Sequence, residues 1–376
     1  MQVDKGHLNG IAFIDLRRAF DTVDHLILLN KLKECGCSPH SIKWFESYLK
    51  NRKQFVSIGK EKSSIRDINL GVPQGSILAP LLFSVFINDL PSHVQNASIY
   101  MYADDTTVSV SGKSKEEVEF NLFRALDETL SWIRRNRLIL NSQKTKIMLL
   151  GSKQKLSSIR DRQLVVSIHG QALECVHEYK CLGVVIDSCL DFKLHTEYIC
   201  KTIKQKLGII RRTKDCFNNS QMSRLYWGYI IPHILYCCNV WSGRSESNYD
   251  TLNRLHKRAA YMISNCSWET RSETVFGGLN WPQLHQIFLR ASCCLMYKCV
   301  HKISPAILYD KLVFVDDVST RNTRSSDKLL LRLPKCRTAF YQKSFVYTGS
   351  VNWNQLPNSV RFANNIRVFK SYLKDN

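Results

Sequence analysis

Two runs rich in β-formers, Ser98 to Tyr102 and Thr106 to Ser111, are separated only by Ala103, Asp104 and Asp105. So short a connection predicts a tight hairpin with the acidic pair at its tip. A further apolar run, Gly10 to Leu16 (GIAFIDL), predicts a buried strand that carries Asp15 at its C-terminal end. A carboxylate there is costly unless a cation compensates it. If this strand pairs beside the hairpin, Asp15 and Asp104 converge, and carboxylates held so close resist ionisation. Hard oxygen ligands of this kind suit Mg²⁺, which completes its octahedron with water and substrate phosphates. Two such ions activate a hydroxyl and stabilise charge on a reacting phosphorus. Taken alone, an Asp-Asp pair is equally ordinary turn chemistry, because Asp bonds locally in turns.

The rest of the first half alternates helix and strand. A helical pattern runs from Ala19, with Leu26, Leu29 and Leu32 on one side and Gly36 as its stop. Ser38-Pro39 opens a second helix through about Lys50, Ser38 as cap and Pro39 in the first turn. Gln54 to Ile58 and Ile65 to Leu70 read as a hairpin around GKEKSS, and Ile77 to Leu90 as a buried helix. Ser114 and Glu117 form a capping-box pattern for a helix up to Arg134–Arg137, and Lys146 to Leu150 is the next strand. This βαββαβ-like order predicts an α+β fold, an antiparallel sheet with helices on one face. Leu164 to His169 and Tyr179 to Asp187 read as further strands, Asp191 to about Lys302 as mostly helical, and the tail from Ser304 as less regular.

Charge narrows the partners. Lys and Arg number 53 against 32 Asp and Glu, a net charge of +21, which favours a polyanion such as RNA or DNA. The 14 cysteines are scattered among apolar residues and read as reduced core thiols. Two sets with metal-ligating side chains, Cys175, His177 and Cys181, and Cys293, Cys294, Cys299 and His301, lack the paired spacing of a zinc knuckle. The polar start and the lack of a long apolar run argue against a signal peptide or a membrane span, so an intracellular setting is expected, nuclear or cytoplasmic.

Between strand and hairpin lies GVPQGS. Gly71 and Gly75 permit positive φ and close backbone approach, Pro73 fixes one dihedral, and Gln74 offers a donor and an acceptor. Such a turn suits a surface against which a base pair lies, or it is a plain strand-to-helix turn. Phe20 reads either as an aromatic wall or as a core aromatic.

Taken together, FIDLRRAFDTVDH, GVPQGSILAPLLF, YMYADDTTV, LNSQKTKIMLL and YKCLGVVID resemble the successive A to E motifs of reverse transcriptases, in order and with compatible spacing. The wording is most similar to LINE-type non-LTR retrotransposons of the jockey and chicken-repeat groups. The resemblance implies a right-hand polymerase palm over residues 1–190, a helical thumb over 191–245 and a helical C-terminal region over 246–376. It implies RNA-directed DNA synthesis, with Asp15, Asp104 and Asp105 as metal ligands and catalytic carboxylates for two Mg²⁺ ions, or Mn²⁺ in their place. Phe20 becomes the sugar gate against ribonucleotides, and Gln74 with Gly75 contacts template and incoming dNTP.

Lys144 matches the lysine beside the triphosphate, the donor of a proton to pyrophosphate, although Lys146 lies close by and both also fit solvated charges flanking a strand. Gly183 matches the primer-grip hairpin that approaches the DNA primer. LGIIRRTK and the segment through YCCNVWSG resemble the thumb, where Lys201, Lys204, Lys206, Arg211, Arg212 and Lys214 are set to meet a phosphate backbone. Later pieces, TRSSDKLLLRLP and VNWNQLP among them, resemble the C-terminal region of the same elements. The family places its fingers, and further upstream an endonuclease, before the strand that carries Asp15, so a truncated element is expected, with a separate chain as one source of fingers. A catalytically inactive remnant that binds nucleic acid is the alternative reading.

Overall fold

The alternation in Leu8–Ile14 decides which way the central strand faces. In the computed structural model, which describes residues 2–168, 170–315 and 329–375, this segment is strand β1. Leu8, Ala12 and Ile14 are buried, and a Cβ on Gly10 would fall 2.6 Å from Val118 and 3.5 Å from Leu122. Even-numbered residues of β1 therefore face a helix, and the missing side chain at Gly10 lets that helix approach.

The chain divides into two compact units, Gln2–Leu182 and Gly183–Asn376. In the first, β1 is followed by helices α1 (His25–Glu34), α2 (Pro39–Leu49) and α3 (Leu78–Ile87), then strands β2 (Ser98–Tyr102) and β3 (Asp105–Gly112). Helix α4 (Lys115–Arg135), strand β4 (Lys146–Leu150) and the short strand β5 (Glu174–Cys175) follow and complete its main sheet. The sheet order is β5-β4-β1-β3-β2, antiparallel except for β5, which runs parallel to β4. α4 lies on the even-numbered face. Its buried stripe of Val118, Leu122, Leu126, Leu130 and Ile133 follows the 3.6-residue period that its sequence shows.

Several sequence expectations hold. Ser38 caps α2 by accepting from the Ser41 N–H, Pro39 sits in the first turn, and Ser114 accepts from the Glu117 N–H at the start of α4. Others change. The helix expected from Ala19 begins at His25, because Ala19–Asp21 is a single 3₁₀ turn entered through Arg18 at φ 48°. The hairpin around GKEKSS is two short pairings, Arg52–Gln54 with Arg66–Ile68 and Ser57–Ile58 with Glu61–Lys62. Of the run from Leu164, only Ser167–Ile168 is strand, and His169 lies outside the described residues. Tyr179 to Asp187 is two strands, Glu178–Cys181 and Val184–Asp187.

Asp24 anchors the entry to α1. Buried, it accepts from the N–H groups of Leu26 and Ile27 and from the Arg137 guanidinium at 2.7 Å. Burial pushes its carboxyl up, but the Ile27 N–H, the Arg137 guanidinium and the Leu26 N–H outweigh that and hold it below the ordinary value. A carboxyl whose native pKa lies below its unfolded one adds stability that is complete above the unfolded value, about 3.9, and is lost as pH falls through the native one. Asp24→Asn is expected to cost about 2 kcal/mol at neutral pH. The gap between wild type and variant should close as pH is lowered below about 4, read from urea midpoints. A gap that stays constant to pH 2 would exclude this role for the Asp24 charge.

Beyond the strand Val184–Asp187, the second unit is mostly helical in its described part. α5 (Lys193–Arg212), α6 (Asn219–Tyr229), α7 (Glu246–Ser264) and α8 (Leu284–Val300) are its longer early helices, and α9 (Phe345–Asn354) and α10 (Ile366–Asp375) close it. One core gathers buried residues from Val184 to Ile287, thus on both sides of residue 245. A second runs from Cys293 to Leu373 and includes Leu331, Trp353 and Phe369. Of TRSSDKLLLRLP, residues 323–328 lie outside the described residues. No helix among the described residues is long and apolar enough to cross a membrane.

Candidate active site

Asp15 directly follows β1, where its backbone is held from the β4 side: its N–H donates to the buried Thr145 hydroxyl at 3.3 Å, and its carbonyl accepts from the Asn141 N–H at 2.8 Å. β1 pairs with β3 so that Phe13 faces Thr107 and Ile14 faces Thr106. Continued one step past its last pair, that register directs Asp15 toward Asp105. Directly opposed residues share a face, and this is the odd-numbered one, away from α4. Sequence reasoning brought Asp15 toward Asp104; the Asp105 carboxyl beside it feels the charges of both.

Asp104 belongs to the two-residue connection Ala103-Asp104, closed by the pairing of Tyr102 with Asp105. Ala103 takes φ 51°, a left-handed conformation that costs a non-glycine residue about 1 kcal/mol. Asp104 and Asp105 are exposed and Asp15 is half-buried. Partial desolvation, then the charge of Asp104, then that of Asp15, raise the Asp105 carboxyl above its ordinary value. Tyr179 lies on the same face, its ring stacked on Phe13 at 3.8 Å. Burial, followed by the charges of Asp105, Cys181 and Asp15, raises its phenol.

A carboxylate whose charge is opposed by its neighbours, as that of Asp105 is, is what a cation would relieve. Among the described residues no three His, Cys, Asp or Glu side chains close into a ready-made metal cage. Mg²⁺ does not require one, because it is held by one or two carboxylates plus water and substrate phosphate. The donor chemistry of Asp15, Asp104 and Asp105 fits that ion.

The GVPQGS loop is tied to the segment after Asp15. The Val72 N–H donates to the Phe20 carbonyl at 2.8 Å, and the Gly71 N–H to the Val23 carbonyl at 2.7 Å. His25 Nε2 meets the Gly71 carbonyl at 2.8 Å, and the Gln74 amide donates to the Asp21 carboxylate at 2.8 Å. Both glycines have positive φ, 84° at Gly71 and 82° at Gly75. They differ in surroundings: a Cβ on Gly71 would fall 2.7 Å from the Asp21 carbonyl oxygen, whereas one on Gly75 meets nothing within 4 Å. Phe20 is half-buried and stacks on the buried Phe83 at 4.4 Å, so one of its faces is core.

Lys144 is exposed on the turn before β4, while the neighbouring Lys146 pairs with Glu174. Gly183, at φ 84°, follows Leu182 at φ 45°, and a Cβ there would fall 3.2 Å from Tyr236. Of the basic residues on α5, Lys204 and Arg211 share one cleft with Lys214. Arg212 is exposed but does not line it, and Lys206 turns to His233 and the ring of Tyr229. Sequence reasoning missed Asp21, Asp24, His25, Thr145 and Tyr179. Of these only Asp24, just before the apolar period of α1, carried a local signal, that of a helix cap.

An antiparallel sheet backed by α4, with a carboxylate at the end of its central strand and two more at the neighbouring hairpin turn, is the palm of a template-directed polymerase. Residues 2–186 match the family model for reverse transcriptase (RNA-dependent DNA polymerase), and this part of the chain belongs to that family. Its relatives include RNA-directed DNA polymerases of transposons and mobile elements. The chain is 30% identical over 287 residues to a probable RNA-directed DNA polymerase from transposon BS of Drosophila melanogaster, covering 74% of this chain and 31% of that protein. It is 28% identical to the RNA-directed DNA polymerase from mobile element jockey of the same species, covering 73% and 30%. A third relative, from transposon X-element, is 26% identical over 70% of this chain and 29% of its own length. The chain thus spans less than a third of the length of each of these three curated relatives.

Proposed function

We propose that the chain performs RNA-directed DNA synthesis, in which a primer 3′-hydroxyl attacks the α-phosphate of a dNTP and pyrophosphate leaves. The observation that carries this reading is the register that directs Asp15 toward Asp105, one residue from Asp104, on the sheet face opposite α4. Asp15, Asp104 and Asp105 would hold two Mg²⁺ ions, which when bound lower the pKa of the attacking hydroxyl and neutralise the leaving group. Tyr179, stacked on Phe13, walls that face beside the carboxylates. Phe20, with its backbone pinned by Val72, is assigned the wall against the sugar, and the open backbone at Gly75 with Gln74 the edge of the nascent base pair. Exposed Lys144 is assigned the proton given to pyrophosphate.

RNA template and DNA primer are the proposed partners, with Gly183, Lys204, Arg211 and Arg212 as backbone contacts, in a nuclear or cytoplasmic setting. The +21 charge and the names of the relatives support this partner class. The test is extension of a labelled DNA primer annealed to RNA, with all four dNTPs and Mg²⁺. Template-dependent products that vanish on chelation are expected. Salt-sensitive binding without any incorporation would replace the polymerase reading with that of an inactive binding remnant.

A further inference from the structure

Away from the carboxylates, in the second unit, one cleft combines cations, an open aromatic face and space. Helices α5 and α7 and the turn after α7 enclose about 700 Å³, within the roughly 300–1,000 Å³ of small-ligand sites. Lys204 and Arg211 from α5, Lys214 just beyond it and Arg258 from α7 line the cleft, and no acidic residue is among its described walls. Lys214 is held by the Asn265 side chain, and like charges gathered round one cleft favour an anion entering it.

The aromatic part is built on a fixed support. Tyr261 is buried and its hydroxyl donates to the Thr270 carbonyl. On this anchored ring lies the Trp268 indole, centroids 4.7 Å apart and planes within 19°. Trp268 is nevertheless 67% exposed. One indole face is therefore covered by a buried, hydrogen-bonded ring, and most of the rest of the indole is presented to solvent. A flat apolar surface held in water beside several cations is the composition of a stacking platform for a base with its phosphates.

We propose that this cleft holds an unpaired nucleotide of a single-stranded nucleic acid, its base on Trp268 and its flanking phosphates on Lys204, Arg211 and Arg258. A base within a duplex already has both faces stacked and has none to offer, so the cleft selects single strands. Neither the carboxylates nor a dNTP takes part. The inference accordingly goes beyond the polymerase reading and is tested separately from it.

The experiment is fluorescence anisotropy of the full chain, without dNTP or divalent metal, against a labelled unstructured RNA, the same sequence as DNA, and a blunt duplex of equal length. Trp268→Ala is expected to weaken single-strand binding about tenfold and duplex binding by less than about twofold, and Trp268→Phe to retain most of the affinity. Arg258→Gln should lower the slope of log affinity against log salt by about 0.7 on the single strand. Melting curves identify any variant that fails to fold, in which case Arg258→Gln and Trp268→Phe decide. An RNA preference reads the 2′-hydroxyl and assigns the nucleotide to RNA, while equal affinity assigns it to either strand type through base and phosphate alone. Unchanged single-strand affinity in Trp268→Ala, or equal losses on single strand and duplex, overturns the proposal.

Discussion

Asp104→Ala is expected to lower primer extension by about a thousandfold while leaving the melting temperature within about 1 °C. The scale follows from removing a preorganised charge at a reacting phosphorus, where single-group losses reach about 10²–10³. Stability is spared because Asp104 is exposed and occupies the turn rather than a ladder position. Its removal also relieves a repulsion, since its charge is one of those that raise the Asp105 carboxyl. The variant should bind nucleic acid as the wild type does, so the loss falls on turnover. Extension reduced less than about tenfold would remove Asp104 from the chemistry.

Gly71→Ala is expected to have the largest effect on folding. At φ 84° an L-residue is strained, and its Cβ would press on the Asp21 carbonyl oxygen at 2.7 Å. Backbone cannot rotate out of the way as a side chain does. Relief would break the 2.7 Å bond from the Gly71 N–H to Val23 or the 2.8 Å bond from Val72 to Phe20. Strain and clash together amount to about 3–5 kcal/mol, or roughly 10 °C in melting temperature for a unit of this size. Gly75→Ala is the control, because its Cβ meets nothing within 4 Å. Left-handed strain alone should cost it about 1 kcal/mol, whereas its effect on extension should be large if a base pair lies against that backbone. Equal melting temperatures for the two variants would contradict the close approach at Gly71.

These variants separate what local sequence encodes from what it does not. The caps at Ser38 and Ser114, the stripe of α4 and the hairpin that presents Asp104 and Asp105 were legible because each depends on residues a few positions apart. The start of α1 was not. Ala19 to Val23 has apolar spacing that suits a helix, but its carbonyls at Phe20 and Val23 are taken by residues about fifty positions later. Pairing of that range overrides local propensity and leaves no periodic trace. Register was hidden for the same reason: the sequence brings Asp15 toward the hairpin tip, yet only the Phe13 to Thr107 pairing directs it toward Asp105 as well. Tyr179 reads as one more strand residue until its ring is found on Phe13. Among the thumb cations, spacing could not distinguish Lys206, turned to His233, from Lys204 and Arg211 in the cleft.

The lacing of Gly71, Val72 and Gln74 onto residues 20–25 has a mechanical consequence. With two backbone bonds, one imidazole and one amide spanning so few residues, the loop and the helix entry behave as a single lever. On the roles proposed for them, pressure on Gln74 from a misfitted base would be transmitted to Phe20, and crowding at Phe20 would tilt Gln74. Errors in base choice and errors in sugar choice should then rise and fall together across variants of this strap.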